Sequence, residues 1–204
     1  MAKNATPVRR RLTPEQRRDQ LLDIGARLFG ERPYEDVLIE EVAELAGVSR
    51  GLMYHYYPNK RDFFAAILRR SAEQLLAATQ TDPNLPMAEQ VSAGLDAYID
   101  HFLQNPHGVV AISRGAVSGD ETIRALVEWE QEVLRDRIIT ALGVTGHSQD
   151  VASAAVRGWI GFTRAVCTDW LQTQALTREE VRDLCLRALV GALGPSVHLD
   201  ELPS

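Results

Sequence analysis

Only two cysteines occur in the 204 residues, Cys167 and Cys185, and they lack the paired spacing of a metal site. They are expected to be buried, reduced thiols, with a redox-sensing pair as the alternative. No apolar segment follows the basic residues Lys3 and Arg9-Arg10-Arg11, so no export signal is expected and the cytoplasm is the expected compartment. Nor is there a clean membrane span. The most apolar stretch, 152 to 171, carries Arg157, Arg164 and Asp169, and no second span accompanies it. Repeats and low-complexity tracts are absent. So are the P-loop, Gly-x-Gly-x-x-Gly, His-Glu-x-x-His and Gly-x-Ser-x-Gly patterns, which leaves no recognisable enzyme motif and no expected cofactor or metal.

What is present is apolar content enough for a core, 45% of residues, in one two-part helical unit or two small domains. The net charge of −6 argues against a nucleic-acid binder until it is divided along the chain. Residues 1 to 70 hold 13 Lys and Arg against 10 Asp and Glu, whereas residues 71 to 204 hold 9 against 18. The first third is therefore relatively basic, and the acidic remainder should stand away from phosphate.

The stretch from Ile39 to Lys60 organises the basic part. Ile39, Val42, Ala43 and Ala46 share one face of a short helix by their spacing of three and four. Gly47 ends it, being able to take the left-handed conformation without a Cβ clash. Ser49 caps a second helix, in which Met53 and Tyr57 pack against the first while Arg50, Gly51, Tyr54 and His55 point outward. Two helices joined by a Gly turn form a helix-turn-helix, whose second helix enters a major groove. Pro58 stops that helix, and Asn59 with Asp62 starts the next, leaving Lys60 in a first turn suited to phosphate. Glu40, Glu41 and Glu44 are expected to face away from DNA or to pair with arginines.

These residues, namely Val42-Ala43, Ala46-Gly47-Val48-Ser49, Leu52-Met53-Tyr54-His55-Tyr56-Tyr57 and Asn59-Lys60, resemble the TetR family of bacterial transcriptional regulators over 24 to 68. The resemblance implies an all-α homodimer: an N-terminal three-helix helix-turn-helix DNA-binding domain (1–59) followed by a C-terminal helical bundle (60–204) for effector binding and dimerisation. It also implies that Ser49, Arg50, Gly51, Leu52, Tyr54, His55, Tyr56 and Lys60 meet a double-stranded operator. Arg50 and His55 are the expected base readers; Tyr54, Tyr56 and Lys60 are the expected phosphate holders. Two departures stand out: Pro33 replaces a usual Gly, and Val37 and Leu38 replace a usual Ser or Thr. The first motif helix then lacks a polar cap, at a cost of about 1 kcal/mol unless Asp36 substitutes.

Further along, Thr13-Pro14-Glu15-Gln16 starts the first helix with a capping box, and the arm before it could touch the minor groove or stay solvated. Helices are expected from 60 to 79, from 87 to 104, briefly through Val109, Val110 and Ile112, and from 120 to 143. The two last, 152 to 171 and 178 to 193, are apolar on most sides and are expected to be buried in a dimer. Phe102, Arg114, Trp129, Trp159, Phe162, Arg164 and Trp170 are the candidate lining of an effector pocket for an apolar or amphipathic molecule, with Arg114 and Arg164 able to anchor an acidic group or to pair with carboxylates. Two rival readings remain. One is a sequence-independent architectural DNA binder; the other is a helical-bundle enzyme using Asp96, Asp100 and His101.

Overall fold

A computed structural model describes residues 12–110 and 120–194. The helices are α1 (Pro14–Glu31), α2 (Ile39–Ala46), α3 (Arg50–Tyr56), α4 (Lys60–Ala78), α5 (Met87–Gln104), α6 (Glu121–Leu142), α7 (His147–Thr173) and α8 (Arg178–Leu193). A single 3₁₀ turn, Tyr34–Asp36, joins α1 to α2. Residues 106–110 are helical as well, and no strand occurs among the described residues. The rest of the short helix expected there, with Arg114, lies outside the described residues, as does the basic arm.

Local chemistry sets the boundaries. Thr13 accepts from the Gln16 amide and Gln16 answers at the Thr13 amide, while Thr177 and Glu180 do the same for α8. Asn59 caps α4 through the Asp62 amide, and Asp120 caps α6 through those of Thr122 and Ile123. Gly47 closes α2 at φ 64°, a conformation that costs a glycine little. The start of α2 is different: its N-cap is Leu38, with no side-chain cap, because Asp36 is held in the 3₁₀ turn and Val37 is wholly buried. The position that usually caps serves the core instead. Glu40 and Glu41 in the first turn offset part of the loss by facing the positive end of the helix dipole.

The buried side chains form two clusters that share α4. In the first, Leu21, Leu22, Leu28 and Phe29 of α1 meet Val42, Ala43 and Ala46 of α2, Met53 of α3, and Phe63, Phe64, Ile67 and Leu68 of α4; α6 adds Ile123 and Leu126. Its centre is aromatic: Phe29 lies 4.6 Å from Phe64, Tyr57 lies 4.8 Å from Phe63, and Tyr34 stacks on Phe29 at 5.7 Å. The second cluster joins Leu75 and Leu76 of α4 to the inner faces of α5, α6, α7 and α8. Here Leu186, Leu189 and Leu193 of α8 are buried in the chain's own core. The apolar excess of α8 is thus largely used within the protomer. What α7 leaves uncovered is a stripe of Val151, Ala154, Gly158, Gly161, Phe162 and Ala165.

The polar residues of α5 that suggested acid–base or metal chemistry are spoken for. Asp96 and Asp100 take ion pairs from Arg178, at 3.1 and 2.8 Å, and Asp96 takes a second from Arg182 at 3.1 Å. These pairs clamp α5 to α8. His101 points the other way, is 5% exposed, and has its Nδ1 3.3 Å from the Asn105 amide nitrogen. Burial, with the nearby positive charge of Arg164, lowers its pKa to about 4, so the ring is neutral at physiological pH. Among the described residues no group of three or more His, Cys, Asp or Glu could hold a metal ion.

Two outcomes follow from this packing. A Cβ at Gly25 would lie 2.6 Å from Ile67 Cδ1. Gly25→Ala should therefore lower stability by about 1–3 kcal/mol in urea titrations, although Ala is the better helix former. His101 binds its proton more weakly in the folded chain than in the unfolded one, so its contribution is complete above about pH 6.5 and is lost as pH falls toward 4. Relative to His101→Leu, the wild type should give up roughly 3 kcal/mol between those pH values, measured by denaturant unfolding at a series of pH.

Candidate nucleic-acid interface and effector cleft

The candidate reading head is α3, and its geometry follows from one buried and one exposed face. Met53 is wholly buried and Tyr57 is 6% exposed, which fixes the helix on α2 and the start of α4. Ser49 accepts from the Leu52 amide at 3.2 Å. On the opposite face Arg50, Gly51, Leu52, Tyr54 and His55 are exposed, and Ser49 lies at their head. An added Cβ at Gly51 would meet only the Ser49 hydroxyl, at 4.0 Å, so backbone can approach closely there.

The expected phosphate holders are engaged within the protein. Lys60 Nζ donates to the Glu35 carbonyl at 3.1 Å and sits 4.5 Å over the Tyr34 ring, and partial burial lowers its pKa. Tyr54 donates its hydroxyl to Glu40 Oε1 at 2.7 Å, which raises the phenol's pKa and lowers the carboxyl's. Tyr56 makes a long contact, 3.5 Å, to the Pro14 carbonyl, with the Arg18 guanidinium 5.9 Å over its ring. The three acidic residues of α2 are partly accounted for: Glu41 pairs with Arg32 at 2.7 Å, Glu40 holds Tyr54, and Glu44 is exposed. Arg17 was not singled out from the sequence. Its guanidinium reaches the Ala46 carbonyl at 3.3 Å, ties α1 to the C-terminal end of α2, and so holds the motif's first helix in place.

Of the seven residues expected to line an effector pocket, Arg114 lies outside the described residues and the other six are not brought together. Trp159 faces a cleft among α4, α5, α6 and α7, while its Nε1 donates to the Cys185 carbonyl at 2.7 Å. Phe102 is wholly buried behind that cleft, stacked 4.6 Å from Tyr98. Trp170 closes the α7–α8 connection by donating to the Leu176 carbonyl at 2.7 Å. Phe162 is exposed on the outer face of α7. Trp129 borders a separate, open hollow between α4 and α6, beside Arg61 and Arg69. Arg164 pairs with the wholly buried Glu130, not with an open site; burial pushes the Glu130 carboxyl up and the arginine pulls it back.

The cleft itself has a volume of about 70 Å³ and is lined mostly by apolar groups, among them Val91, Leu95, Leu134 and Ile160. Its polar members, Thr79 and Thr81 at the end of α4, Gln90, Tyr98, Arg137 and Thr163, are not among the candidate residues that the sequence offers. Each occupies a position that helical periodicity assigns simply to an inward face or a helix end, and only the spacing between helices shows that they border a space. Arg137 also donates to the Leu76 carbonyl at 2.6 Å and to the Thr79 hydroxyl at 3.3 Å, so one cleft residue grips the end of α4. Cys167 and Cys185 are buried nearby as free thiols that hydrogen-bond each other, and that contact, with burial, raises the pKa of Cys167.

Comparison with known proteins agrees with this arrangement. Residues 21–67 match the family described as bacterial regulatory proteins, tetR family, and residues 87–192 match the tetracyclin repressor-like C-terminal domain. A crystal structure of a tetR-family transcriptional regulator from Streptomyces coelicolor superimposes with a TM-score of 0.78 at 27% identity, covering 93% of this chain and 86% of that one. The HTH-type transcriptional activator FasR of Mycolicibacterium smegmatis is 25% identical over 134 residues, 63% of this chain and 59% of its own. The HTH-type transcriptional repressor KstR2 of Rhodococcus jostii is 30% identical over 104 residues, 50% of this chain and 47% of its own. The chain thus spans about half to three-fifths of the length of these curated relatives. With both halves matched, and the second match alone covering more than half of its residues, this chain belongs to the TetR family of bacterial transcriptional regulators.

Proposed function

We propose that the protein is a homodimeric, sequence-specific DNA-binding regulator, acting in the cytoplasm as a repressor that a small apolar or amphipathic molecule releases from its operator. The observation that carries the coupling is the path of α4. Its first turns pack into the core that carries α3, and its last residue contact, through Thr79, is in the cleft wall held by Arg137. A molecule that displaces Arg137 loosens the end of the helix on which the reading head sits. Two heads of a dimer must meet successive major grooves about 34 to 36 Å apart, so a modest tilt of α4 misplaces one of them. The ligand acts only in so far as it prefers the tilted state.

This reading divides labour at the start of α4, with residues 1–59 for DNA and 60–204 for effector and partner. Regulation by an effector distinguishes it from an architectural DNA binder, which has no need of such a cleft. Dimerisation is supported by the exposed stripe on α7. A Cβ at Gly158 or Gly161 would meet nothing within 4 Å in the protomer, and Phe162, next to Gly161, is 39% exposed. Small residues flanking an exposed aromatic suit close approach of a second copy. No helix of the described residues is long and apolar enough to cross a membrane.

DNA sites selected by the protein from a random pool test the reading head. Arg50→Ala should cost about 1–3 kcal/mol and relax preference at particular base pairs. Lys60→Ala should weaken all sites about equally and lower the salt slope by roughly one, once Lys60 leaves Glu35 for phosphate. Unchanged site preference in Arg50→Ala would overturn base reading by that residue. For the dimer, Phe162→Glu puts an unpaired charge where the partner would pack and should give folded monomers in light scattering. A Phe162→Glu variant that stays dimeric places the interface elsewhere.

A further inference from the structure

Two hydroxyl-bearing residues that line the cleft, Tyr98 and Thr163, have no oxygen or nitrogen partner for their hydroxyls. Tyr98 is 6% exposed and Thr163 is 2% exposed; the phenol oxygen makes no hydrogen bond, and the threonine oxygen has none to oxygen or nitrogen. Thr163 lies beside the Cys185 thiol, a soft and weak partner that leaves its hydrogen-bonding capacity essentially free. Buried hydroxyls left unpaired are costly, and two that border one space mark a place where something supplies the missing bonds. They come from different helices, α5 and α7, so the arrangement exists only in the folded chain.

The charge near these hydroxyls is already balanced. Arg164, the cation nearest to Tyr98 in influence, is paired with Glu130, and neither residue lines the cleft. An anionic head group docked at these hydroxyls would face the buried carboxylate and a cationic one the guanidinium, while the cation that lines the cleft, Arg137, is turned to the Leu76 carbonyl and the Thr79 hydroxyl at the end of α4. A single uncharged oxygen meets no such penalty, and its two lone pairs can accept from both hydroxyls.

The rest of the cleft sets the shape. Along α5 the lining runs through Gln90, Val91, Gly94, Leu95 and Tyr98, from half-buried at Gln90 to buried at Tyr98. At the helical rise this path is about 12 Å long, the reach of a medium-length alkyl chain. Gly94 keeps the α5 wall low midway, where an added Cβ would approach Thr81 at 3.7 Å.

We infer that the cleft takes a neutral amphiphile whose one carbonyl or hydroxyl oxygen docks between Tyr98 and Thr163 while its alkyl body lies along Val91, Gly94 and Leu95 toward the rim. This rests on the cleft being the effector site, and it replaces the acidic ligand that the arginines suggested with an uncharged one.

Titration calorimetry with 2-octanone, 1-octanol, octanoate and octylamine as probes, on the full chain, tests the inference. The ketone and the alcohol should bind more tightly than either charged probe. Tyr98→Phe and Thr163→Val each remove an unpaired hydroxyl from a buried site, so both should fold, which circular dichroism checks, and each should weaken 2-octanone binding by about three- to tenfold. Tighter binding of octanoate or octylamine, no binding by any probe, or unchanged affinity in both variants would each overturn it. Release from a selected DNA site is measured separately with the wild type. Ketone binding that depends on Tyr98 yet leaves DNA affinity unchanged supports the docking geometry and overturns the effector role; DNA release by a probe insensitive to both variants does the reverse.

Discussion

A helix of 19 residues is about 28 Å long, and α4 cannot bury that length against one small core. It is buried twice. Phe63, Phe64, Ile67 and Leu68 lie in the cluster with α1, α2 and α3, and Leu75 and Leu76 lie in the cluster with α5 to α8. Polar ties reinforce both ends: Arg70 bonds Asp23 of α1 at 2.6 Å, Arg61 pairs with Asp120 at the start of α6 at 2.6 Å, and Arg137 takes the Leu76 carbonyl. Exposed pairs of this kind contribute little energy, but they fix the azimuth and axial position of a helix whose apolar contacts alone would tolerate some sliding. Everything the protein does in the reading above passes through this shared element.

The second core is unusual in keeping polar and ionic groups where several helices converge. Tyr98, His101, Glu130, Thr163, Arg164 and the two thiols are all buried or nearly so, and α5, α6, α7 and α8 each contribute. Burying the Glu130–Arg164 pair gains little net stability over apolar residues of the same volume, whereas removing one partner alone would strand a charge. Such a cluster makes the packing of these helices specific, since the pair forms only when α6 and α7 are in register. The Tyr98 and Thr163 hydroxyls at its edge would gain bonds from the proposed ligand, and the clamp on α4 lies along the same cleft.

The DNA-binding half shows how internal contacts prepare a surface. Tyr54 is held by Glu40 and Lys60 by Glu35 and Tyr34, so two groups suited to phosphate are kept ordered by local oxygen acceptors. In the proposed role DNA would compete with these contacts, and a phosphate is a stronger acceptor for an ammonium than a backbone carbonyl is. The arrangement limits the side-chain entropy lost on binding, because the side chains are already partly confined.

Helix identity and the capped helix ends were legible from the chain alone, for a physical reason: capping boxes at Thr13 and Thr177, the Asn59 and Asp120 caps and the Gly47 turn each involve residues at most four apart, whereas α7, which has no side-chain cap, begins at His147 and not at the expected 152. The same holds for α3, whose buried Met53 and exposed Arg50 and His55 follow from a fixed angular step per residue. The candidate effector residues fared otherwise. Aromatic and cationic character identified Trp159, Phe102, Trp170, Phe162 and Arg164 without distinguishing cleft, core, loop tie, outer face and ion pair. That distinction depends on which helix lies opposite and at what distance, and Glu130 lies 34 residues from Arg164 while Arg137 lies 61 from Leu76. Periodicity assigns a side chain to a face. Only the packing of four helices decided whether that face met another side chain or the space that Tyr98 and Thr163 border.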